Sequence, residues 1–232
     1  MSRHPGLPRD PATLFDQLIA AAATDDRGRL TRYLTGIARN AWGWIVGNER
    51  GEFITSQSAL QYLRHLAFVV DASPSPVGFD FRRKRILDVG AGRSRFIDVV
   101  NRVYGHTGTV AIGLDLHPFR ARKAPFVRAD ARHLPVASGS VDVVLCNCCV
   151  SYCLLGASSR AEANAQAKTV LDELIRVTAS GGQLRFNTWI EGHGARASEY
   201  LEHHPCVTTL DVYTMGARVG VRVEVFVVDI RR

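Results

Sequence analysis

Hydrophobic positions are spaced in two different ways along the chain, and the spacing changes near residue 78. Up to about Val70, apolar side chains recur every three or four positions, as expected for helices that are apolar on one face. The clearest stripes are Leu14, Phe15, Leu18 and Ile19; Leu30, Tyr33, Leu34 and Ile37; and Leu60, Leu63 and Leu66. A turn-rich segment, 71–78, follows. We therefore predict a tail and helical cap or lid over 1–78, and a second domain over 79–232.

Beyond that boundary, short apolar runs alternate with helical stretches. Predicted helices follow Gly92, through Phe96 and Val103, and cover 161–177, where Ser180, Gly181 and Gly182 end the helix. The predicted strands are 85–90, 109–115, 125–130, 141–146, 183–189, 207–215 and 219–230. The last two are adjacent and predict a hairpin around Gly216. Alternating strands and helices indicate an α/β fold, with a mostly parallel sheet covered on both faces.

Composition narrows the class of protein. The chain has 232 residues, 46% of them hydrophobic and 22% charged, which excludes disordered, collagen-like and small disulfide-stapled proteins. Its 29 Lys and Arg against 22 Asp and Glu give a net charge of +7, so nucleic acid or another acidic partner has to be considered. We find no secretory signal and no apolar run long enough for a membrane span. Four of the five cysteines crowd into 146–153, unlike spaced disulfides, and we predict a cytoplasmic protein.

The segment richest in chemistry is Ile86–Ser94, at a predicted strand-to-helix turn. Glycines at 90 and 92 allow a backbone to approach a ligand, although a Gly-x-Gly alone also fits a tight turn without one. Asp115 ends the next strand, 25 residues after Gly90, at the spacing of an acid that binds ribose hydroxyls.

Polar residues also end the two strands after that. Asp130 ends the third strand and Asn147 follows the fourth. Each acid alone fits a solvated loop, but the carboxyl ends of parallel strands share one edge, where such folds bind ligands. We therefore predict a ligand site at this edge.

The same residues argue against a dinucleotide. A pyrophosphate-binding turn needs a third glycine five residues after the first, where this chain has Arg95. Asp88, two residues before Gly90, would repel a pyrophosphate but favour a cation. A nucleoside with a positive group and no phosphate fits better.

Taken together, the motifs resemble those of class I S-adenosylmethionine-dependent methyltransferases. They are Asp88-x-Gly90-x-Gly92, Asp115, Arg128–Ala131 followed by Leu134-Pro135, Val141–Leu145, and Leu174–Val177 followed by Gly182. The resemblance covers about residues 80–232. It implies a three-layer αβα Rossmann-like fold, with a seven-stranded sheet whose last strand is antiparallel. The cofactor would lie over the carboxyl ends of strands 1, 2 and 4.

The resemblance also implies roles for individual residues. The methionine moiety of S-adenosylmethionine would lie beside the turn, the ribose hydroxyls at Asp115, and the sulfonium near the backbone of Cys146 or Asn147. Residues implied for the turn are Asp88, Gly90, Ala91 and Gly92, and those implied for adenine are Leu116, His117, Asp130 and Ala131. Ala91 stands where the family commonly has Cys or Ser, and Ser94 stands where it commonly has a third glycine. We also expect Arg93 or Arg95 to pair with the cofactor carboxylate, against the alternative of two solvated arginines.

No motif identifies the methyl acceptor. Tyr152, beyond strand 4, and His193, after strand 5, are the candidate groups to orient or deprotonate it, against a packing role for each. The clustered cysteines lack the spacing of a zinc site, and we interpret them as small apolar side chains rather than as a thiolate nucleophile. A second polar cluster, around Glu191–His204, fits a polar helix better than a metal site, so no metal is predicted.

The sequence thus predicts a methyltransferase that acts on an O or N atom of a small organic acceptor and releases S-adenosylhomocysteine. The basic groups around Arg82–Arg85 and Arg120–Arg132 are not interleaved with base-stacking aromatics, so RNA is a less favoured acceptor. A non-catalytic, cofactor-binding partner subunit is the other alternative. The oligomeric state is open, with a homodimer as one option. With the chain ending at the last core strand, we expect the N-terminal helices and the loops after strands 4 and 5 to select the substrate.

Overall fold

A computed structural model describes residues 66–67, 78, 80–92, 95–117, 124–151, 157–188, 193–216 and 222–232. Within these ranges the strands are β1 (Arg85–Val89), β2 (Val110–Asp115), β3 (Phe126–Arg128), β4 (Val141–Cys146), β5 (Thr178–Thr188), β6 (Val207–Gly216) and β7 (Arg222–Ile230). The helices are α1 (Arg95–Tyr104), α2 (Arg160–Val177) and α3 (His193–Glu202), and a 3-10 turn covers Gly105–Thr107.

The strands form one seven-stranded sheet in the order β3-β2-β1-β4-β5-β7-β6. Neighbouring strands from β3 to β5 pair in parallel, whereas β7 runs antiparallel to both β5 and β6. The order reverses between β1 and β4, so the sheet has a topological switch point beside β1, where open α/β sheets bind ligands. The predicted α/β fold with an antiparallel last strand is confirmed.

Successive side chains of β5 are buried, which shows that both faces of the sheet are covered at this strand. Leu184 and Phe186 of β5 belong to an apolar cluster that includes α2 residues Leu171 and Leu174, and Phe186 stacks on Phe226 at 4.4 Å between ring centroids. Because side chains alternate across a strand, Arg185 and Asn187 lie on the opposite face. Both are also buried.

Buried Arg185 connects the sheet to a distant part of the chain. Its guanidinium donates hydrogen bonds to the backbone oxygens of Leu66 and Ala67, at 2.8 and 2.9 Å. Leu66 and Ala67 are themselves fully buried. The rest of the predicted N-terminal cap lies outside the described residues.

Two element boundaries were predicted wrongly. β5 begins at Thr178, directly after α2, and not at Gln183. The pairing of β4 with β5 skips from Thr178 to Gln183, so Ser180, Gly181 and Gly182 form an irregularity within the strand rather than a separate turn. β3 ends at Arg128, which places Asp130 two residues beyond the strand.

Candidate functional site

The turn after β1 is built by two glycines and held against β2. Gly90 and Gly92 have φ angles of +77° and +53°, in the left-handed region that glycine adopts without strain. The amides of Gly90 and Ala91 donate to the oxygen of Leu114, at 2.8 and 3.0 Å. The turn therefore lies directly against the carboxyl end of β2.

The carboxylate of Asp115 connects the ends of β1 and β2. One of its oxygens accepts the amide hydrogen of Gly92 and the other accepts that of His117, each at 2.9 Å. A carboxylate oxygen has more than one lone pair, so both atoms can accept further hydrogen bonds from a ligand. Asp115 is half-buried, which leaves it accessible at the predicted edge.

Asp88 supplies a second carboxylate behind the turn. It is fully buried in β1, in register with Gly113 of β2 and Leu145 of β4. Its carboxyl group is therefore shielded from solvent directly before the glycine turn. The accessible carboxylate of Asp115 beside the turn favours a ligand that donates hydrogen bonds and disfavours a phosphate, which it would repel.

The next strand ends supply an apolar surface and an ion pair. Leu116 is 50% exposed, and its backbone oxygen accepts a hydrogen bond from Arg128 at 3.1 Å. Both carboxylate oxygens of Asp130 accept hydrogen bonds from Arg132, at 2.6 to 3.1 Å. This hydrogen bonding holds the pKa of Asp130 below its usual value. Ala131 beside it is buried. Asp130 is therefore an ionised acceptor, already held by Arg132.

The end of β4 depends on a residue that the sequence analysis did not single out. Asn187 of β5 is 1% exposed. Its side-chain oxygen accepts the amide hydrogen of Cys148 at 2.6 Å, and its side-chain nitrogen donates to the oxygen of Asn147 at 2.8 Å. The available signal was an amide side chain inside an apolar strand, since a buried amide needs polar partners.

The cysteines after β4 fit a structural role rather than a nucleophilic one. Cys146 is buried, and burial raises the pKa of the Cys148 thiol to about 12, so that thiol is neutral at physiological pH. Cys149 contacts the glycine turn closely: a Cβ added to Gly90 would lie 2.6 Å from the Cβ of Cys149. The burial of Cys146 and the neutral thiol of Cys148 fit the prediction of small side chains that do not act as nucleophiles.

Several predicted site residues have side chains outside the described part of the chain. Tyr152, Arg93 and Ser94 lie outside the described residues, as do the side chains of Arg95 and His193, although His193 begins α3. An open groove of about 570 Å³ lies elsewhere, between α2 and α3, and contains none of the predicted site residues; it is lined by Lys168, Asp172, Arg196, Glu199, Tyr200, His203, His204 and Pro205. Among the described residues, no group of three or more His, Cys, Asp or Glu side chains is arranged to hold a metal ion.

The region of the chain that contains this site is similar to known methyltransferases. Residues 87–186 match the family model described as "Methyltransferase domain". An uncharacterized methyltransferase of Mycolicibacterium gilvum is 30% identical over 150 residues, which are 59% of this chain and 53% of the relative. A malonyl-[acyl-carrier protein] O-methyltransferase of Hamiltonella defensa is 28% identical over 120 residues, 49% of this chain and 41% of the relative. The chain thus spans about half the length of these curated relatives.

Two solved structures are similar to part of the chain. TrmN from Thermus thermophilus matches with a TM-score of 0.48 at 20% identity, covering 64% of this chain and 44% of that one. The N-methyltransferase NodS from Bradyrhizobium japonicum, solved in complex with S-adenosyl-L-homocysteine, matches with a TM-score of 0.48 at 12% identity, covering 64% and 79%. In the part of the chain that the structure describes, no helix is both long and apolar enough to cross a membrane.

Proposed function

We propose that the protein, whose residues 87–186 match the family model described as "Methyltransferase domain", is a class I methyltransferase that binds S-adenosylmethionine and transfers its methyl group to an O or N atom of a small organic acceptor. The observation that carries the proposal is the hydrogen bonding of the glycine turn. The amides of Gly90, Ala91 and Gly92 all donate within the protein, to Leu114 and Asp115. None of these three amides is therefore free to bind a pyrophosphate. In a dinucleotide-binding protein, backbone amides of this turn donate to the pyrophosphate.

The acids at the edge fit a nucleoside with a positive charge. Asp115 retains lone pairs that suit the two ribose hydroxyls, since a carboxylate accepts several hydrogen bonds. Exposed Leu116 provides an apolar contact for adenine, and Asp130 and Ala131, which follow the neighbouring strand β3, are our candidates to bind its amino group. Buried Asp88, under the turn, favours the cationic methionine end. Cys146 and Asn147, at the end of β4, would lie beside the methyl group of the cofactor.

The protein's own part in the reaction is mainly positioning. S-adenosylmethionine supplies a methyl group that its sulfonium already activates. The turn, Asp115 and the β4 end hold the nucleoside in one place, which converts a bimolecular encounter into a reaction between oriented groups. Tyr152 and His193 are our candidates to orient the acceptor atom or take its proton.

Ion pairs of the basic residues support a small acceptor rather than RNA. Arg82, Arg85 and Arg132 from the two basic clusters each form an ion pair, with Asp80, Asp142 and Asp130 at 2.6 to 2.9 Å. These pairs reduce the positive charge that could attract phosphates. The likeness to a malonyl-[acyl-carrier protein] O-methyltransferase supports oxygen as the acceptor atom.

The proposed cofactor site is tested by replacing Asp115. In Asp115→Ala we expect the dissociation constant for S-adenosylmethionine, measured by titration calorimetry, to rise about ten-fold or more, because hydrogen bonds to a charged group are lost. Asp142→Ala is the matched control. Asp142 also accepts a backbone amide, that of Arg85 at 2.7 Å, but it lies at the opposite, amino end of the parallel strands. The control should lower stability and leave the affinity unchanged.

Acceptor chemistry is tested by transfer of a labelled methyl group from S-adenosylmethionine to small carboxylates, phenols and amines, with total RNA in a parallel reaction. Labelling of a small compound supports the proposal, and labelling of RNA alone contradicts it. Tight cofactor binding without transfer to any acceptor would indicate a non-catalytic subunit. Normal binding in Asp115→Ala would overturn the site itself.

A further inference from the structure

The hydrogen bonds of Asn187 fix the orientation of its amide group without ambiguity. The backbone amide of Cys148 can only donate, so the group 2.6 Å from it must be the side-chain oxygen of Asn187. The side-chain nitrogen of Asn187 then points to Asn147, 2.8 Å away. A nitrogen carrying two hydrogens can only donate, so Asn147 must present its own oxygen to it.

A second donor supports this orientation of Asn147. The thiol of Cys148 also lies within hydrogen-bond distance of the Asn147 oxygen, at 3.7 Å. Burial raises the pKa of this thiol to about 12, so the sulfur keeps its proton and acts as a donor. Cys148 itself has a φ angle of +61°, which costs a non-glycine residue energy. The hydrogen bond from its amide to Asn187 helps to hold this backbone in place.

From these contacts we propose that Asn187 is a positioning residue, which turns the amide of Asn147 so that its N–H groups, and not its oxygen, are offered to the ligand at the carboxyl end of β4. Within the described residues the nitrogen of Asn147 has no acceptor. The inference rests on the proposed function, because that function places the methyl-transfer position at the end of β4.

The orientation determines which chemical groups this part of the site accepts. A donor beside the methyl-transfer position favours a ligand atom with a lone pair, such as the oxygen of a carboxylate, carbonyl or hydroxyl group or the sulfur of a thioether. It disfavours a protonated amine, which would bring two donors together. The site therefore selects acceptors that present oxygen, or nitrogen in its unprotonated form.

Two cofactor analogues test this orientation without the methyl acceptor. S-adenosylhomocysteine has a neutral sulfur at the reacting position, whereas sinefungin has a carbon that carries a protonated amine. In the wild-type protein we expect S-adenosylhomocysteine to bind more tightly. In Asn187→Asp, measured at about pH 8, the side chain accepts but no longer donates, so Asn147 turns its nitrogen inward and its oxygen toward the ligand. The ratio of the sinefungin to the S-adenosylhomocysteine dissociation constant should then fall about five-fold or more.

A matched control separates this effect from a general loss of structure. Asn101 of α1 also makes two hydrogen bonds with its side-chain amide, to the oxygen and the nitrogen of Ala111, at 2.7 and 2.9 Å. Ala111 lies near the amino end of β2, away from the site. We expect Asn101→Asp to lower the unfolding temperature and to leave the ratio of the two dissociation constants unchanged.

A second variant keeps the proposal testable if the buried carboxylate of Asn187→Asp prevents folding. Asn147→Asp keeps an acceptor for Asn187, removes the N–H groups offered to the ligand and adds a negative charge in their place, so the ratio should fall here too. An unchanged ratio in either folded variant overturns the role of Asn187 while leaving the cofactor site intact. If the wild-type protein binds neither nucleoside, the proposed function itself fails, and the inference with it.

Discussion

Gly90 is required by two separate restrictions at the residue scale. Its φ angle of +77° lies in the region that disfavours side chains, and a Cβ at this position would lie 2.6 Å from the Cβ of Cys149 and 3.0 Å from its sulfur. The first restriction is local to the backbone. The second arises because the chain segment after β4 packs against the turn after β1, which brings the two halves of the site together.

The two restrictions predict different costs for similar substitutions. Gly108, with a φ angle of +85°, has no atom within 4 Å of an added Cβ, so Gly108→Ala should cost only the backbone strain, about 1 to 2 kcal/mol of unfolding free energy. Gly90→Ala adds a steric overlap with Cys149, so we expect a larger loss in urea unfolding, together with weaker binding of S-adenosylmethionine. Equal losses in the two variants, with unchanged cofactor affinity, would show that the contact with Cys149 is not important.

Individual residues of the site differed in how far the sequence could reveal them. Gly90, Gly92 and Asp115 were found because their positions at the strand ends form a local pattern. In the structure the amide of Gly92 donates to Asp115, and that of Gly90 donates to Leu114 next to it. Asn187 was missed because its partners, Asn147 and Cys148, are about 40 residues away in sequence. Only the parallel pairing of β4 with β5 brings them together, and no periodicity within one strand encodes that pairing.

At the scale of elements, helix α2 fixes the connection between β3 and β4. Glu173 accepts the amide hydrogen of Leu134 at 2.6 Å. Arg176, one turn later, donates to Glu173 and to the backbone oxygens of Leu134 and Val136, at 2.6 to 3.0 Å. This connection follows Asp130 and Ala131, so α2 indirectly supports the adenine side of the proposed site.

This arrangement predicts a specific pH dependence of stability. The hydrogen bond from Arg176 lowers the pKa of Glu173 in the folded protein. The stabilisation is therefore complete above the pKa of an unfolded glutamate, about 4.3, and is lost as the pH falls through the lower folded value. In Glu173→Gln we expect a smaller drop in unfolding free energy between about pH 7 and pH 3.5 than in the wild type, as measured by urea unfolding.

The same helix offers a control for this prediction. Glu162 also has a lowered pKa, but its main partner is the neutral Ser158, and its side chain is exposed to solvent. Solvent screens such contacts. Glu162→Gln should therefore change the pH dependence less than Glu173→Gln does, and the opposite order would contradict the role assigned to α2.

The elements themselves were largely predictable, and the exceptions have a common cause. Apolar runs identified β1 and β4 to within a residue at each end, because burial on both faces of a strand produces a continuous run. An apolar stripe at helical spacing identified α2 equally well. The start of β5 at Thr178 was missed because Ser180, Gly181 and Gly182 indicate a turn in any local analysis. Pairing with β4 draws that segment into the strand despite its composition.

At the scale of the whole molecule, Arg185 joins parts of the chain that are more than 100 residues apart, through Leu66 and Ala67. Burial lowers the pKa of its guanidinium to about 10, so it remains charged at neutral pH at an energetic cost. The backbone oxygens of Leu66 and Ala67, together with the side-chain oxygen of Gln183, offset part of that cost. Arg185 lies on the same face of β5 as Asn187, two positions away, so the attachment of the N-terminal segment is close to the proposed site.

The attachment can be tested with a variant of similar side-chain length. Arg185→Met leaves two buried carbonyl groups without their donor, and each such group costs about 1 to 3 kcal/mol. The loss of the buried charge offsets part of this, so we expect a net loss of about 2 kcal/mol in urea unfolding. Because the backbone at Leu66 is then no longer held, chymotrypsin should cleave the folded protein near residue 66 faster than in the wild type.

A surface arginine separates this effect from the loss of any positive charge. Arg82 forms an ion pair with Asp80 at 2.9 Å, but its side chain is 62% exposed. Such pairs contribute little to stability, so Arg82→Met should leave both the unfolding free energy and the cleavage rate near residue 66 unchanged. If Arg185→Met also left cleavage unchanged, the N-terminal segment would have to be held by contacts other than Arg185. Faster cleavage in Arg185→Met alone would show that one buried side chain of β5 joins the predicted cap to the sheet that carries the cofactor site.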